Sequence, residues 1–396
     1  MASIRKRALP SGLTRWQVDY FDNAGQRRAK QFATKRAAGD WLDHAKGELR
    51  GGVHVADSAS ITIAEEAANW ISAGEADGLE ATTIRQRRQH ADLHINPFIG
   101  AMKLSQLTAP RVEAFKDDLL ATRSRAMSRA VLTSLKGILS FALTKGRIGH
   151  NPAKAVSIGK RRNEKVERVV IPDKAAIRAL ALALTSAKVF PLSRKVAGRW
   201  AVGQGRPERM VMVPWRPLLI TAIFTGMRAS ELRGLRWPSV DLKAGTIRVC
   251  ERADRYQRLG PPKSEAGERD IPLAPIVVST LKEWSLASPK TALGLVFPAE
   301  GGGPIGHTNL LRQGYYPLLR ACGLMADDAS EPPFSFHALR HAAASLFIEQ
   351  GWSPKKVQTV MGHSSITVTY DVYGHLFPSP DDDQEAMAQL QARLLK

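Results

Sequence analysis

The residues best suited to chemistry lie in the C-terminal half, in four short runs. In Phe334-Ser335-Phe336-His337-Ala338-Leu339-Arg340-His341, His337 and Arg340 stand three residues apart, so a helix puts them on one face. Leu339, Ala343, Leu346 and Phe347 supply its buried side. A proton-transfer group beside a guanidinium suits a phosphate, because arginine offers two parallel hydrogen bonds to its oxygens. Alone, the spacing also describes an ordinary surface helix. In Phe224-Thr225-Gly226-Met227-Arg228-Ala229-Ser230-Glu231-Leu232, the glycine sets Arg228 at a helix start and Glu231 can brace its guanidinium. A surface ion pair of little energetic value reads the same way. Pro261-Pro262-Lys263-Ser264 places Lys263 in the connection between two strands. Such a lysine is usually solvated, but one whose pKa is lowered by nearby positive charge serves as a general acid. The last run begins Met361-Gly362-His363 and ends Tyr370-Asp371-Val372-Tyr373-Gly374-His375-Leu376-Phe377. A tyrosine can attack a phosphodiester and hold it as a phosphotyrosine, which keeps the bond energy for rejoining. Its ordinary pKa of about 10 calls for cations beside the phenolate, which two arginines and a histidine would supply. A lone tyrosine is otherwise a core or interface residue.

The elements that must position these groups are readable in outline. Residues 173–184 and 218–224 pattern as apolar helices, the second ending at Gly226, and 229–235 as a short third. Residues 246–250 and 269–273 read as paired strands with Lys263 between them. Between the first helix and Arg228, residues 186–216 form an insertion broken by Gly198, Gly203, Gly205 and Pro207. It carries Arg194, Lys195, Arg199, Arg206 and Arg209 with Trp200 and Trp215, and reads either as a further DNA or protein contact or as a solvated hairpin. Upstream, residues 16–21 and 27–32 read as a hairpin around the turn Asp22-Asn23-Ala24-Gly25, followed by a helix capped by Thr34. Residues 61–152 pattern as all-helical, with an apolar face at Ala64, Ala67, Ala68 and Ile71. A helix over 85–94 is expected to stop before Pro97; the next opens at Thr108-Ala109-Pro110, and another carries the stripe Val131, Leu135, Ile138, Leu139 and Ala142. The charged stretch 160–165 reads as a linker, and 381–396 as a terminal helix with a stripe at Met387, Leu390 and Leu394.

Charge narrows the partner. Lys plus Arg total 57 against 37 Asp plus Glu, a net +20 in 396 residues. The first 168 residues carry +12 of it, and the insertion alone carries +6 of the rest. Such clustered excess points to nucleic acid or an anionic membrane face. A 44% hydrophobic content excludes wholesale disorder. No uninterrupted apolar run approaches the ~18 residues of a membrane span. Cys250 and Cys322 are too few for a disulfide framework or a four-cysteine zinc site and fit a reducing cytoplasm. The basic N-terminus lacks the apolar core of a secretory signal.

The order Arg228, Lys263, His337-x-x-Arg340, His363, Tyr373 resembles the tyrosine recombinases of the phage-integrase type. TGMRASEL, the hairpin lysine, the HALR box and MGHSSITVTYDVYGHLF all match, jointly specific although individually weak. The resemblance implies a multidomain, mainly α chain with small β-sheets: an arm-type DNA-binding domain of one small sheet and a helix over 1–56, a helical core-binding domain over 60–152, a linker over 153–168, an α+β catalytic domain over 169–380 and a tail helix over 381–396. It implies Tyr373 as nucleophile of a 3′-phosphotyrosyl link, and Arg228 and Arg340 as clamps on the non-bridging oxygens. Lys263 would protonate the 5′-oxygen, His337 would act as base or relay towards Tyr373, and His363 would hydrogen-bond the phosphate. Tyr370 competes as nucleophile; Tyr373 is preferred because Gly374-His375-Leu376-Phe377 follows it. No cofactor and no metal is implied. Expected partners are double-stranded DNA at attachment sites and three further copies in a tetramer on synapsed DNA, the free protein being a monomer. An accessory directionality or DNA-bending protein is allowed, a membrane is not, and the expected location is cytoplasmic, with the nucleoid. The competing readings are a DNA-binding protein without catalysis and a topoisomerase-like nicking-closing enzyme.

Overall fold

The computed structural model describes residues 2–8, 13–22, 25–51, 54–159, 170–185, 193–197, 208–212, 214–377 and 383–395. The chain divides into two compact units, Met1–Lys165 and Val166–Lys396.

The first unit opens with a three-stranded antiparallel sheet, β1 (Ser3–Ala8), β2 (Thr14–Phe21) and β3 (Arg27–Phe32), backed by α1 (Lys35–Arg50). β2, β3 and α1 are the expected hairpin and helix, with the Thr34 hydroxyl accepting from the Ala37 amide. β1 was not expected, because Ser3-Ile4-Arg5-Lys6-Arg7-Ala8 lacks apolar alternation. Backbone pairing with β2 holds it, from Ser3 opposite Asp19 to Ala8 opposite Thr14. Val18 and Tyr20 of β2 pack on Ala38 and Leu42 of α1. The helical part contains α2 (Ile63–Ala76), α3 (Ala81–His90), α4 (Ala109–Thr122) and α5 (Arg125–Thr144). Thr62 and Glu65 close a reciprocal capping box on α2. Its buried face is Ile63, Ala67, Ile71 and the fully buried Glu66, which pairs with Arg147; Ala68, expected inside, is exposed. α3 does not stop before Pro97: it runs on through wide, π-type turns over Ala91–Gly100 that keep the proline inside. The widened turn accommodates a ring that would clash in a regular α-helix. Among the described residues α5 is the one helix long and apolar enough to cross a membrane. Here its stripe Val131, Leu135, Ile138 and Leu139 is the centre of the core.

The second unit begins with α6 (Lys174–Thr185) and the hairpin β4 (Ser193–Ala197) and β5 (Glu208–Met212), paired from Ser193 opposite Met212. This hairpin and residues 214–216 are the described parts of the insertion; Arg199, Trp200 and Arg206 lie outside the described residues, as do residues 160–168 of the expected linker. Trp215, expected as an inserted aromatic, is a core residue at the start of α7 (Trp215–Thr225). α8 (Ala229–Gly234) follows. β6 (Val240–Asp241), β7 (Thr246–Val249) and β10 (Arg269–Pro272) form an antiparallel sheet of order β10-β7-β6. The two runs expected as paired strands do pair, Arg269 with Val249 and Pro272 with Thr246. The connection contains a further ribbon, β8 (Arg252–Ala253) and β9 (Leu259–Gly260), and Lys263 follows it. The rest is helical: α9 (Pro275–Ala287), α10 (His307–Asn309), α11 (Tyr316–Ala321), α12 (Ala338–Glu349), α13 (Pro354–Met361), α14 (Ile366–Tyr373) and α15 (Asp383–Leu394). α7 is buried on nearly every side, through Leu218, Leu219, Ile220, Ala222 and Ile223. It is the hydrophobic post around which the chemistry-bearing elements are set. Met387, Leu390 and Leu394 of α15 are exposed.

Candidate active site

Two helix ends make the frame. α7 stops at Gly226 and α13 at Gly362, with φ of +62° and +65°. This left-handed conformation is natural to glycine and strained for other residues. Space adds to this at Gly362, where a Cβ would stand 2.8 Å from the Ala266 carbonyl oxygen; at Gly226 it would meet Ala343 Cβ and Met361 Sδ at 3.1 Å. The carbonyls freed at these stops accept from the two arginines. Arg228 Nη2 donates to Gly362 O at 2.9 Å, and Arg340 Nη1 to Gly226 O at 2.8 Å. Arg340 Nη2 donates to Met361 O. The first arginine is thus tied to the histidine loop after α13, and the second to the loop that carries the first.

Glu231 braces Arg228, as its spacing predicts. Its Oε2 accepts from the Arg228 amide at 2.8 Å and its Oε1 from Arg228 Nη1 at 2.8 Å. A further arginine, Arg269, holds the same carboxylate from the opposite side, through Nη2 at 2.8 Å and Nη1 at 3.1 Å. It also donates from Nε to Val360 O at 2.6 Å and from Nη1 to Gly267 O at 2.8 Å. One buried guanidinium therefore ties α8, the end of the Lys263 segment and the end of α13 together. Burial pushes the Glu231 pKa up, but the Arg269 hydrogen bonds and charge and the Arg228 charge outweigh it and hold it at about 2.

α12 brings His337 and Arg340 to this frame, and a further histidine with them. The His341 ring meets that of His337 edge to face, centroids 5.0 Å apart. His341 Nδ1 lies 2.7 Å from the Tyr373 hydroxyl. His363 stands parallel to the Tyr373 ring at 6.3 Å, and its Nδ1 is 3.0 Å from Thr369 Oγ1 on α14. Tyr373 is 1% exposed, whereas Tyr370 is 51% exposed with its ring against Phe377. Burial raises the Tyr373 pKa to about 12 against the pull of Arg340. Burial, with the neighbouring histidine and arginines, lowers His337 to about 4. Burial and Arg340, Arg228 and Arg269 do the same to His363. His341 is lowered by burial and Arg340. All three imidazoles are therefore neutral at neutral pH.

The structure thus groups Arg228, His337, Arg340, His363 and Tyr373. Lys263 is exposed, on a stretch whose following turn, residues 265–267, packs on Gly362. Two residues were missed by sequence reasoning. Arg269 shows itself as a charge in phase with buried Ile271 on an alternating strand. His341 lies four residues after His337, a same-face spacing that was there to be used.

Comparison with known proteins decides the family. The model of the phage integrase family matches residues 213–379, and that of the phage integrase central domain matches residues 63–158. The chain belongs to the phage integrase family of tyrosine recombinases. As a tyrosine recombinase it is a site-specific, DNA strand-transferring enzyme that uses a tyrosine nucleophile. This integrase is similar, at 24% identity over 387 residues and 90% of each chain, to a XerC-like tyrosine recombinase of Caldanaerobacter subterraneus subsp. tengcongensis. Its fold is like that of the Tn1549 transposon integrase in complex with a circular intermediate DNA: TM-score 0.64, 18% identity, 84% of this chain and 100% of that one. It is also like that of a lambda integrase tetramer bound to a Holliday junction: TM-score 0.53, 18% identity, 91% and 96% of the two chains. The integrase matches the family both around the frame of arginines and in the helical core of the first unit.

Proposed function

We propose that this recombinase integrates or excises a mobile element by cleaving and rejoining double-stranded DNA at attachment sites, with Tyr373 forming a 3′-phosphotyrosyl link. The observation that carries this is the grouping of one sequestered tyrosine with two arginines whose guanidinium groups are fixed by helix-end carbonyls. Each guanidinium has five N–H donors, more than its protein acceptors use, so both can also grip the non-bridging oxygens of a phosphate. Fixed cations need no reorganisation as charge develops in the transition state. His363 donates from Nε2 to the phosphate, its other nitrogen being satisfied by Thr369. Lys263 protonates the departing 5′-oxygen, and His337 stands behind His341 as a proton relay towards Tyr373. The energy of the broken bond stays in the tyrosyl phosphodiester, so rejoining needs no nucleotide cofactor.

In this reading residues 1–56 bind arm sites, residues 60–152 bind core sites, 153–168 link them to the catalytic domain at 169–380, and the hairpin insertion adds a DNA contact. A free monomer assembles on two synapsed duplexes as a tetramer, the state in which the lambda integrase is bound to a Holliday junction. The exposed stripe of α15 supports a tail that packs on a neighbouring protomer. The enzyme then works in the cytoplasm, with the nucleoid. A nicked substrate that traps covalent protein, run beside paired and single attachment sites, tests the whole. The expected result is an adduct on either substrate, with recombination only on paired sites. A chain ending at residue 379 keeps the adduct and loses recombination. Strand closure without exchange on paired sites would instead favour a nicking-closing enzyme, and no adduct a non-catalytic DNA-binding protein.

A further inference from the structure

We infer that His341, and not His337, is the base that takes the proton from Tyr373. This rests on the reading of Tyr373 as nucleophile and assigns the proton's acceptor within it. The geometry is direct: His341 Nδ1 lies 2.7 Å from the phenolic oxygen, whereas His337 meets the His341 ring and not the tyrosine. A buried phenol has to give its proton to something already in place, because Tyr373 is 1% exposed. His341 is neutral near neutral pH and so has a lone pair to offer, with the phenol donating to Nδ1 and the ring's own proton on Nε2. The titratable and charged groups around it are Arg340 and His337 on its own helix, and Tyr373 and His363 from the segment packed across it. Arg228 and Glu231 act on the adjoining His337.

In the step so assigned, the Tyr373 oxygen forms its bond to phosphorus as its proton passes to His341 Nδ1. The bond from phosphorus to the 5′-oxygen breaks, and that oxygen takes its electron pair and a proton from Lys263. Rejoining reverses both transfers: the 5′-hydroxyl gives its proton back to Lys263, and protonated His341 returns its proton to the departing phenolate. No oxidant, metal or nucleotide is consumed.

The experiment measures the rate of adduct formation on two nicked substrates, one natural and one with sulfur in place of the bridging 5′-oxygen. A thiolate leaves without a proton. His341→Asn keeps an acceptor near the Nδ1 position but cannot take a proton. It is expected to slow the adduct on both substrates, on the order of 10²–10⁴-fold. DNA affinity is expected to stay unchanged. Lys263→Ala slows only the natural substrate. The wild-type rate rises with pH through a pKa below the ordinary histidine value and then levels, and His341→Asn loses that limb. His341→Gln, longer by one carbon, guards against misfolding of the first variant. Both variants keeping rates within about threefold of wild type, or exceeding it, would overturn the assignment. So would His337→Asn alone removing the pH limb. A wild type that forms no adduct overturns the recombinase reading and this inference together.

Discussion

Arg269 should be worth as much to the second unit as a well-packed core side chain, although it touches no substrate. Its side chain is 2% exposed, as is that of Glu231, and the two meet at 2.8 Å. Breaking a buried ion pair by removing one partner typically costs about 3–5 kcal/mol, because the other charge is left uncompensated. The second unit spans Val166–Lys396, a size at which each kcal/mol moves the midpoint by roughly 2–4 °C. Arg269→Gln should therefore lower that unit's transition by roughly 6–20 °C. Acid gives an independent check. Glu231 titrates at about 2 in the folded chain, against an ordinary 4.5. A depressed carboxyl pKa contributes stability that is complete above the unfolded value and is lost as pH falls towards the folded one. The full contribution is roughly 3 kcal/mol, of which about 1 kcal/mol should be gone by pH ~3.5. Urea unfolding of the wild type, Arg269→Gln and Glu231→Gln between pH ~7 and ~3.5 reads both effects, with near-ultraviolet dichroism following the second unit. The gap between wild type and Glu231→Gln should narrow on acidification. A gap constant with pH, or an Arg269→Gln loss under about 1 kcal/mol, would refute the clamp.

Gly362→Ala forces a left-handed residue and an approach of 2.8 Å to the Ala266 carbonyl, displacing the acceptor of Arg228. About 1–3 kcal/mol of stability and most adduct formation should be lost; full activity at normal stability would count against the glycine frame. Thr369→Val removes the hydroxyl that holds His363 without changing the volume, and strand cleavage should slow about five- to tenfold at unaltered DNA affinity. Single-turnover cleavage with a parallel binding titration checks it, and an affinity loss with normal cleavage would contradict the placement of His363. Replacing Arg5, Lys6 and Arg7 of β1 by alanine should flatten the salt dependence of binding, by about 0.9 in slope for each phosphate no longer neutralised. An unchanged slope would remove this strand from the DNA-binding surface.

Much of the site was legible because its residues act through short-range spacing. Glu231 three residues after Arg228 and His337 three before Arg340 are one-turn relations that a helix enforces, and the glycine before Arg228 is a local helix stop. The paired strands around Lys263 showed in their alternation, and the match across Arg228, Lys263, His337, Arg340, His363 and Tyr373 named the family. What escaped depends on long-range pairing. Arg269 meets Glu231 across 38 residues, and His341 meets Tyr373 across 32. No local pattern announces either partner. In the fold, β1 escaped because edge pairing needs no apolar residues. The helix through Pro97 escaped because a wide turn tolerates a proline that regular α-helix geometry excludes. Trp215 looked like part of a basic insertion until α7 placed it in the core.

The most direct test of the account is the identity of the residue joined to DNA. A nicked substrate traps the adduct, proteolysis reduces it to a nucleotide-bearing peptide, and mass spectrometry reads the attachment point. The link should be on Tyr373, and Tyr373→Phe should form none while binding the same DNA equally well. Tyr370→Phe should retain it. Attachment to Tyr370, or an adduct that persists in Tyr373→Phe, would contradict the site built around Arg228, Arg340 and His341.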